Sequence, residues 1–351
     1  MKKFDLNNLV RPNIQKLQPY RSARDDFDSG ILLDANENSF GSLVPSDLEL
    51  NRYPDPHQNK LRDVVADFRS VKREQVFMGS GSDEAIDLII RAFCEPGKDS
   101  ILVTPPTYGM YKVSAGINDN SVIQVPLSPE FQLRTEAMLS EVTASTKIIF
   151  LCSPNNPTAN LLKRDDIFNI LENFNGIVVV DEAYIDFSDQ ASMGSEINKY
   201  PNLVVLQTLS KAFGMAGARL GIAIASEEII NVILKIKAPY NINKLAAQAG
   251  LQAFEKLDEM KLTVNKIFKE KHRLIFEFNT LQGIRKIFPS DANFILIKVQ
   301  NAKEIYRKLA TNGVIVRYRG DEIHCEDTLR VTVGTRDEND ALIRNLRGIL
   351  P

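Results

Sequence analysis

The sequence predicts an α/β fold with a mainly parallel central sheet, helices on both faces of that sheet, and a smaller α+β domain. Between about residues 48 and 240, short β-branched runs alternate with segments of helical periodicity. Several of these runs are apolar at every position, which is typical of strands buried on both faces of a sheet. After Pro239 the helical segments become longer and the alternation ends.

The elements follow in order along the chain. The first 30 residues are polar and contain Pro12 and Pro19, which predicts an irregular arm. Strands of the larger sheet are predicted at 101–103, 122–125, 148–151, 177–180, 203–206 and 220–224, with helices between them at 83–93 and 165–174. Later helices are predicted at 244–254, 259–279, 302–312 and 338–348, and later strands at 293–299, 314–317 and 329–333. We therefore expect an N-terminal arm and a segment joining the small domain (1–46), a large domain (47–240) and a small C-terminal domain (241–351).

Composition excludes several classes of protein. The chain has 351 residues, 44% of them hydrophobic and 25% charged, which is typical of a globular protein of about two domains. A net charge of -2 does not favour a nucleic-acid or membrane-surface partner. No run approaches the ~18 apolar residues of a membrane span, and no apolar segment follows the lysines of the N-terminus, so we expect no secretion signal. Three scattered cysteines and three separated histidines indicate a reducing cytoplasm, without a disulfide framework or a metal site.

Two polar segments could bind a ligand at the edge of the larger sheet, where ligands bind in open α/β folds. In residues 79–84, glycines allow a tight turn, Ser82 could cap a helix, and Asp83 and Glu84 lie in its first turn. The free N–H groups there suit a phosphate, although an ordinary capped helix behind a glycine turn is the more common explanation of such a segment taken alone. In residues 153–158, two prolines hold Asn156 extended with its amide available, or form a plain turn.

Two further segments carry charged groups beside predicted buried strands. Asp181 ends a strand and needs a partner, either a structural arginine or a cationic ligand atom, and Tyr184 could bind the same ligand. Residues 208–221 contain hydroxyls and an arginine that suit a phosphate, and Lys211 lies between them. Burial would lower the pKa of Lys211 and favour Schiff-base chemistry, whereas most lysines are simply solvated.

The four segments together indicate one ligand more strongly than any of them does alone. They suit a phosphate, a cationic ring nitrogen, a phenolic oxygen and a carbonyl that reacts with lysine. Pyridoxal 5′-phosphate has all four groups, and its enzymes pair a lysine with an aspartate near the ring nitrogen. The sequence therefore predicts a pyridoxal-phosphate site.

Over nearly its whole length the chain resembles the fold type I pyridoxal-phosphate aminotransferases. The matching segments are 33–38 (LDANEN), 52–56 (RYPDP), 79–84 (GSGSDE), 105–111 (PPTYGMY), 154–158 (PNNPT), 181–184 (DEAY), 208–213 (TLSKAF) and 329–336 (LRVTVGTR). Within this family the likeness is to the enzymes that act on histidinol phosphate. One position departs from the family pattern, because Ala159 stands where the family usually has glycine. If that position requires a positive φ, alanine is strained there.

The resemblance implies a role for each matching residue around the cofactor. Lys211 would bind the aldehyde covalently and move the proton between Cα and C4′, while Asp181 would pair with the ring nitrogen. Tyr184 and Asn156 would hydrogen-bond the ring O3′, and Tyr108 would stack on the ring. The phosphate would be held by Ser82, Asp83, Thr208, Ser210 and Arg219.

The resemblance also implies how substrate binds. Tyr53 would reach the cofactor phosphate of a neighbouring subunit, so that a homodimer shares its active sites. Arg330 would bind the substrate carboxylate, and Arg317 and Tyr20 would help to hold the substrate's phosphate or carboxylate. Asn36 lies in a segment that would fold over the substrate.

The activity implied by the resemblance is a transamination. L-Histidinol phosphate and 2-oxoglutarate would give imidazole-acetol phosphate and L-glutamate, a step of histidine biosynthesis in the cytoplasm. Three alternatives stay open: an aromatic amino-acid aminotransferase or an amino-acid-phosphate decarboxylase of the same fold, a non-catalytic pyridoxal-phosphate-binding protein, and a structural protein without cofactor. A regulator of the non-catalytic kind usually carries a DNA-binding domain, for which this chain has neither spare length nor a basic segment.

Overall fold

The computed structural model describes residues 4–27 and 29–350. Residues 1–3 and Asp28 lie outside these ranges. The expectation about a secretion signal rests in part on residues 1–3, and Asp28 belongs to the predicted arm. Within the described ranges, no helix is long and apolar enough to cross a membrane.

The N-terminal segment is more ordered than the sequence predicts. It contains three short helices, α1 (Leu6–Leu9), α2 (Pro12–Lys16) and α3 (Ala23–Asp26). Val10 is buried in the core beneath it, and Arg11 donates its backbone N–H to the carbonyl of Ala92 at 3.0 Å. The expectation of an irregular arm is therefore wrong for residues 6–16, because a few apolar side chains spaced along the segment anchor it to the large sheet.

The large sheet confirms the predicted α/β architecture. Within the described chain it comprises seven strands: β1 (Val76–Ser80), β2 (Ser100–Val103), β3 (Ser121–Gln124), β4 (Thr146–Cys152), β5 (Ile177–Asp181), β6 (Leu203–Thr208) and β7 (Leu220–Ala225). Their order across the sheet is β1-β7-β6-β5-β4-β2-β3. Only β7 runs opposite to its neighbours, so the sheet is mainly parallel. β1 was not predicted, because its apolar run is only three residues long, from Val76 to Met78, before Gly79.

Two hydrophobic cores, one on each face of the sheet, explain the continuous apolar runs. Alternate residues of a strand point to opposite faces. In β5, Ile177 and Val179 pack in one core, while Val178 and Val180 pack in the other. Every position of this strand is consequently buried and apolar up to Asp181.

Helices cover both faces of the sheet. They are α4 (Asn59–Arg69), α5 (Ser82–Phe93), α6 (Met110–Ile117), α7 (Thr135–Glu141), α8 (Arg164–Asn173) and α9 (Glu227–Ile236). Leu61 of α4 and Ile167 of α8 enter one core, whereas Ile89 of α5 and Ile230 of α9 enter the other. This arrangement confirms the predicted layers.

A second, smaller sheet follows in the C-terminal part of the chain. Four described strands, β8 (Ile284–Ile287), β9 (Phe294–Val299), β10 (Arg317–Tyr318) and β11 (Thr328–Thr332), are antiparallel in the order β10-β11-β9-β8. The helices are α10 (Lys244–Phe254), α11 (Leu257–Asn279), α12 (Ala302–Thr311) and α13 (Arg336–Ile349). The expected strand 314–317 is wrong except at Arg317, because the backbone N–H of Val314 bonds Leu309 and closes the end of α12. β8, whose central residues are exposed, was not predicted.

The position of α10 bears on the predicted boundary at residue 240. Ala246 and Phe254 of this helix lie in the same core as Leu61 and Val65 of α4. The helices α11 and α13 pack instead over the small sheet, where Phe278 and Leu346 are buried. The division of the chain into 1–46, 47–240 and 241–351 stays a prediction.

Candidate functional site

The strand directions bring the four polar segments to one edge of the large sheet. β4, β5 and β6 are parallel, so the residues after Cys152, Asp181 and Thr208 emerge at the same edge. β7 runs the other way, and therefore Arg219, which precedes it, emerges there too. A cleft of about 630 Å³, the main cleft, opens at this edge.

Most of the predicted site residues line the main cleft. They are Ser82, Asp83, Tyr108, Asn156, Asp181, Tyr184, Thr208, Ser210, Lys211, Arg219, Arg317 and Arg330. Their convergence follows from topology, because the chain returns to the same sheet edge after each parallel strand.

Asp181 lies at the bottom of the main cleft and is 3% exposed. Tyr111 donates its hydroxyl to Asp181 Oδ2 at 2.6 Å, and the backbone N–H of Ala183 donates to Oδ1 at 3.1 Å. Burial raises the pKa of Asp181 to about 6, although both hydrogen bonds act in the opposite direction. The protein partner of this carboxylate is thus a tyrosine rather than the arginine considered from the sequence.

Lys211 lies in the turn after β6 and is half-buried. Its Nζ is 5.5 Å from the centroid of the Tyr184 ring. Burial lowers the pKa of Lys211, the positive charge of Arg330 lowers it further, and Asp181 partly opposes both. The cleft therefore holds an amine that loses its proton more readily than an exposed lysine does.

The start of α5 forms a second part of the cleft. Gly81, at φ 79°, is the residue before the helix, so Ser82 is its first residue and not the cap that the sequence predicted. The first-turn positions of Asp83 and Glu84 are confirmed. Arg219 Nη2 lies 3.3 Å from Asp83 Oδ2, which places a guanidinium beside the free N–H groups of the helix.

Three hydroxyls, those of Thr208, Ser210 and Tyr108, lie near this helix end. Thr208 Oγ1 donates to Ser210 Oγ at 3.0 Å and accepts the Ser210 backbone N–H at 3.1 Å. Tyr108 donates its hydroxyl to Asp83 Oδ1 at 3.1 Å, and burial and this carboxylate both raise the pKa of Tyr108. Hydroxyls, a guanidinium and a helix N-terminus together suit a phosphate group.

The opposite wall of the cleft comes from the small sheet. Arg330 Nη1 donates to Asn156 Oδ1 at 2.5 Å, so this amide oxygen is engaged and not free as the sequence suggested. The Arg330 guanidinium also lies 5.3 Å from the centroid of the Phe294 ring, against which Tyr184 packs edge-on at 5.0 Å. Burial raises the pKa of Tyr184.

Three predicted site residues do not line the main cleft of this single chain. Tyr53 and Asn36 line a separate cavity of about 460 Å³, where Tyr53 stacks on Tyr240 with a 4.5 Å centroid distance. Tyr20 lies at another cavity and is 74% exposed. The backbone of Tyr53 is held by Glu37 Oε1, which accepts its N–H at 2.7 Å.

Sequence reasoning missed two residues of the cleft and identified one strained position. Tyr111, on α6 three residues after Tyr108, carried no signal that it would reach Asp181. Arg319 lines the cleft, and its spacing of two from Arg317 on an extended segment could have revealed it. Ala159 is fully buried with φ 68°, so the position does adopt the left-handed backbone that favours glycine.

The described residues contain no group of three or more His, Cys, Asp or Glu side chains that could hold a metal ion. The cysteines Cys94, Cys152 and Cys325 are unpaired and buried. Burial raises the pKa of all three thiols.

Comparison with known proteins assigns this fold and cleft to a class. Residues 31–346 match the model of the family described as aminotransferase class I and II, and the chain belongs to this family. Its members depend on pyridoxal 5′-phosphate. A curated relative, the histidinol-phosphate aminotransferase of Cytophaga hutchinsonii, is 50% identical over 346 residues, which are 98% of this chain and 99% of the relative.

Solved structures agree with this assignment. The histidinol-phosphate aminotransferase from Clostridium acetobutylicum superposes with a TM-score of 0.79 at 26% identity, covering 86% of this chain and 91% of that chain. The enzyme of the same name from Sinorhizobium meliloti, solved in complex with pyridoxal-5′-phosphate, gives a TM-score of 0.80 at 21% identity, covering 90% and 89%. At that identity the second likeness supports the fold alone.

Proposed function

We propose that this aminotransferase converts L-histidinol phosphate and 2-oxoglutarate into imidazole-acetol phosphate and L-glutamate, in histidine biosynthesis. One observation carries the proposal. The main cleft brings together a lysine of lowered pKa, a buried carboxylate and several guanidiniums. The chain that forms it is 50% identical, over 98% of its length, to a histidinol-phosphate aminotransferase. We propose a cytoplasmic location on the same basis.

The residues of the main cleft fit pyridoxal 5′-phosphate. Asp181 is buried with a raised pKa, and a cationic ring nitrogen beside it would favour its ionised form. Lys211 is the amine that would bind the aldehyde, and Tyr184 and Asn156 lie where the ring oxygen could be held. When bound, the cofactor supplies an electron sink for the carbanion formed at the substrate Cα.

The phosphate of the cofactor would lie at the start of α5. The supporting groups are the backbone N–H groups of Ser82 and Asp83, the hydroxyls of Thr208 and Ser210, and the guanidinium of Arg219. Tyr108 also lines this part of the cleft and would cover the ring face.

Proton movement falls to two groups of the chain. Lys211 Nζ has a lowered pKa and is the base that moves the proton at the substrate Cα. Asp181, whose Oδ2 accepts the Tyr111 hydroxyl, would hold the proton on the ring nitrogen of the bound cofactor. The walls formed by Tyr184, Tyr108 and the small sheet restrict water around these groups.

Substrate anions would bind on the small-sheet side. Arg330 and Arg317 line that wall, and a planar guanidinium fits carboxylate and phosphate alike. This property allows one site to accept both a dicarboxylic acid and a phosphate ester.

A second copy of the chain would complete the site. Asn36, Tyr53 and Tyr20 lie outside the main cleft of their own chain, and a partner subunit would allow them to reach a cleft. The segment before Tyr53 exposes large apolar side chains, among them Ile31 and Phe40, which a homodimer would bury. We therefore propose a homodimer with shared active sites.

The test of this proposal measures whether pyridoxal 5′-phosphate becomes covalently linked to Lys211. The purified protein should turn yellow with pyridoxal 5′-phosphate, and borohydride should attach the cofactor to Lys211. Lys211→Ala should keep its circular dichroism and lose the absorbance band. Lys237 provides a matched control, because it is half-buried outside the main cleft with a pKa lowered by burial to about 8. Label on Lys237 in place of Lys211 would contradict the proposal.

Substrate assays then distinguish the enzymes of this fold. We expect turnover of histidinol phosphate with 2-oxoglutarate to exceed that of phenylalanine, and threonine phosphate to release no carbon dioxide. Preference for phenylalanine would indicate an aromatic aminotransferase, and decarboxylation of threonine phosphate an amino-acid-phosphate decarboxylase. Cofactor binding without any turnover would indicate a binding protein.

A further inference from the structure

Three arginines share one face of the small sheet at the main cleft. Arg317 on β10 pairs directly with Arg330 on β11, and the next pair is Tyr318 with Leu329. Arg319 continues the ladder by donating its backbone N–H to Thr328 at 3.0 Å. Because side chains alternate along a strand, Arg319 returns to the face of Arg317 and Arg330. All three line the cleft, and we call them the arginine cluster.

The arginine cluster has little negative charge of its own. Arg330 is engaged with the neutral amide of Asn156, and Arg319 Nη1 lies 3.4 Å from one carboxylate, that of Glu322. Arg319 Nε is buried and has no hydrogen-bond acceptor among residues 4–27 and 29–350. Like charges opposite one another in a sheet are destabilising, so this arrangement favours an anion between them.

Repulsion between the three guanidiniums also favours a bound anion. Burial lowers the pKa of Arg330, and the charges of Arg319 and Arg317 lower it further. Burial and the charge of Arg317 lower the pKa of Arg319 as well, against the influence of Glu322. A bound anion would offset both effects.

We propose that Arg319 is a specificity-determining residue that binds the substrate phosphate, together with Arg317 and Arg330. A phosphate monoester carries about -1.5 to -2 charge at pH 7 and three acceptor oxygens, whereas a carboxylate carries one charge and two oxygens. Three guanidiniums therefore match the phosphate better than the carboxylate. Arg319 favours phosphorylated substrates over amino acids of similar size. This inference rests on the proposed function.

The experiment compares Arg319→Gln with Arg307→Gln in the holoenzyme, where the cofactor already fills its own phosphate site. Arg307 is exposed on α12, outside the main cleft, and its loss changes the net charge equally. Orthophosphate binding is measured by calorimetry. We expect Arg319→Gln to raise the orthophosphate Kd about tenfold or more, the loss expected for one charged hydrogen bond, and Arg307→Gln to leave it unchanged.

Kinetics provide the second readout. Arg319→Gln should raise KM for histidinol phosphate about tenfold and change KM for glutamate less than about threefold. Arg319→Lys should recover part of the affinity, because it keeps the charge and loses the planar fork. An unchanged orthophosphate Kd, equal increases in both KM values, or the same change in Arg307→Gln would overturn the inference.

The two proposals fail in different ways. If the protein never acquires the cofactor absorbance or never turns over histidinol phosphate, the proposed function is wrong. If the loaded enzyme is active and Arg319→Gln behaves as wild type toward phosphate, only the role of Arg319 is wrong.

Discussion

Replacing Tyr111 by phenylalanine removes one hydroxyl from the surroundings of Asp181 and keeps the ring. Tyr111 is fully buried and stacks on Phe150 with a 4.7 Å centroid distance, a contact that phenylalanine preserves. The hydroxyl donates to Asp181 Oδ2 at 2.6 Å and favours the ionised carboxylate. We expect Tyr111→Phe to fold normally and to raise the pKa of Asp181.

The size of this effect follows from the hydrogen bond. A hydrogen bond to a charged group contributes ~1.5–3 kcal/mol. At 1.36 kcal/mol for each pH unit, its loss raises the pKa of Asp181 by about one to two pH units. Burial already raises this pKa to about 6. In cofactor-free Tyr111→Phe the carboxyl would therefore be largely protonated near neutral pH, and it would have to lose that proton to pair with a cationic ring nitrogen.

The assay is the pH dependence of pyridoxal-phosphate binding, followed by absorbance between about pH 5 and 9. Binding should weaken as the pH falls through the pKa of Asp181, and Tyr111→Phe should move that transition about one to two pH units upward. Tyr200→Phe is the matched control, because the buried Tyr200 donates its hydroxyl to Glu172 at 3.0 Å, and neither residue lines the main cleft. Superimposable profiles for Tyr111→Phe and wild type would refute the reasoning.

Two further predictions concern the backbone at α5 and the subunit interface. In Gly221→Ala the new Cβ would lie 2.1 Å from the carbonyl carbon of Gly81 and 2.2 Å from the nitrogen of Ser82. We therefore expect denaturant unfolding to show that the free energy of unfolding falls by ~1–3 kcal/mol or more. We also expect the variant to retain the cofactor less well. Gly217→Ala, which meets nothing within 4 Å, should leave both unchanged, and equal stability of the two variants would contradict this. Tyr53→Phe should raise the cofactor Kd about tenfold in the assembled dimer, and the same change in a dissociated subunit would argue against a shared site.

Local patterns were sufficient for most of the fold. The run 177–180 is apolar at every position because β5 is buried on both faces, and this property is visible without the structure. The predictions of a strand at 314–317 and of an irregular arm around Val10 were wrong, because contacts with residues of other segments determine the conformation there. Val314 bonds back to α12, and Val10 finds a core formed by residues distant in the chain.

Some residues of the candidate site could likewise be predicted from the sequence, and others could not. Lys211, Asp181 and Arg219 could be identified because each is an unusual residue beside a buried strand. Tyr111 could not, because its role depends on which side chains lie across the cleft. Arg319 was missed, although its spacing of two from Arg317 on an extended segment marks it. Whether Tyr53 acts in its own subunit or in a partner likewise depends on an assembly that local sequence does not encode.

The sequence by itself determined the alternation of strands and helices and the chemical groups that follow the strands, since both depend on residue type and spacing along the chain. Only the tertiary structure decided that Tyr111 is the partner of Asp181, that Arg330 engages Asn156, and that Arg319 joins two other guanidiniums. These contacts join residues far apart in the chain, and their energies depend on burial and distance, which exist only after the chain has folded.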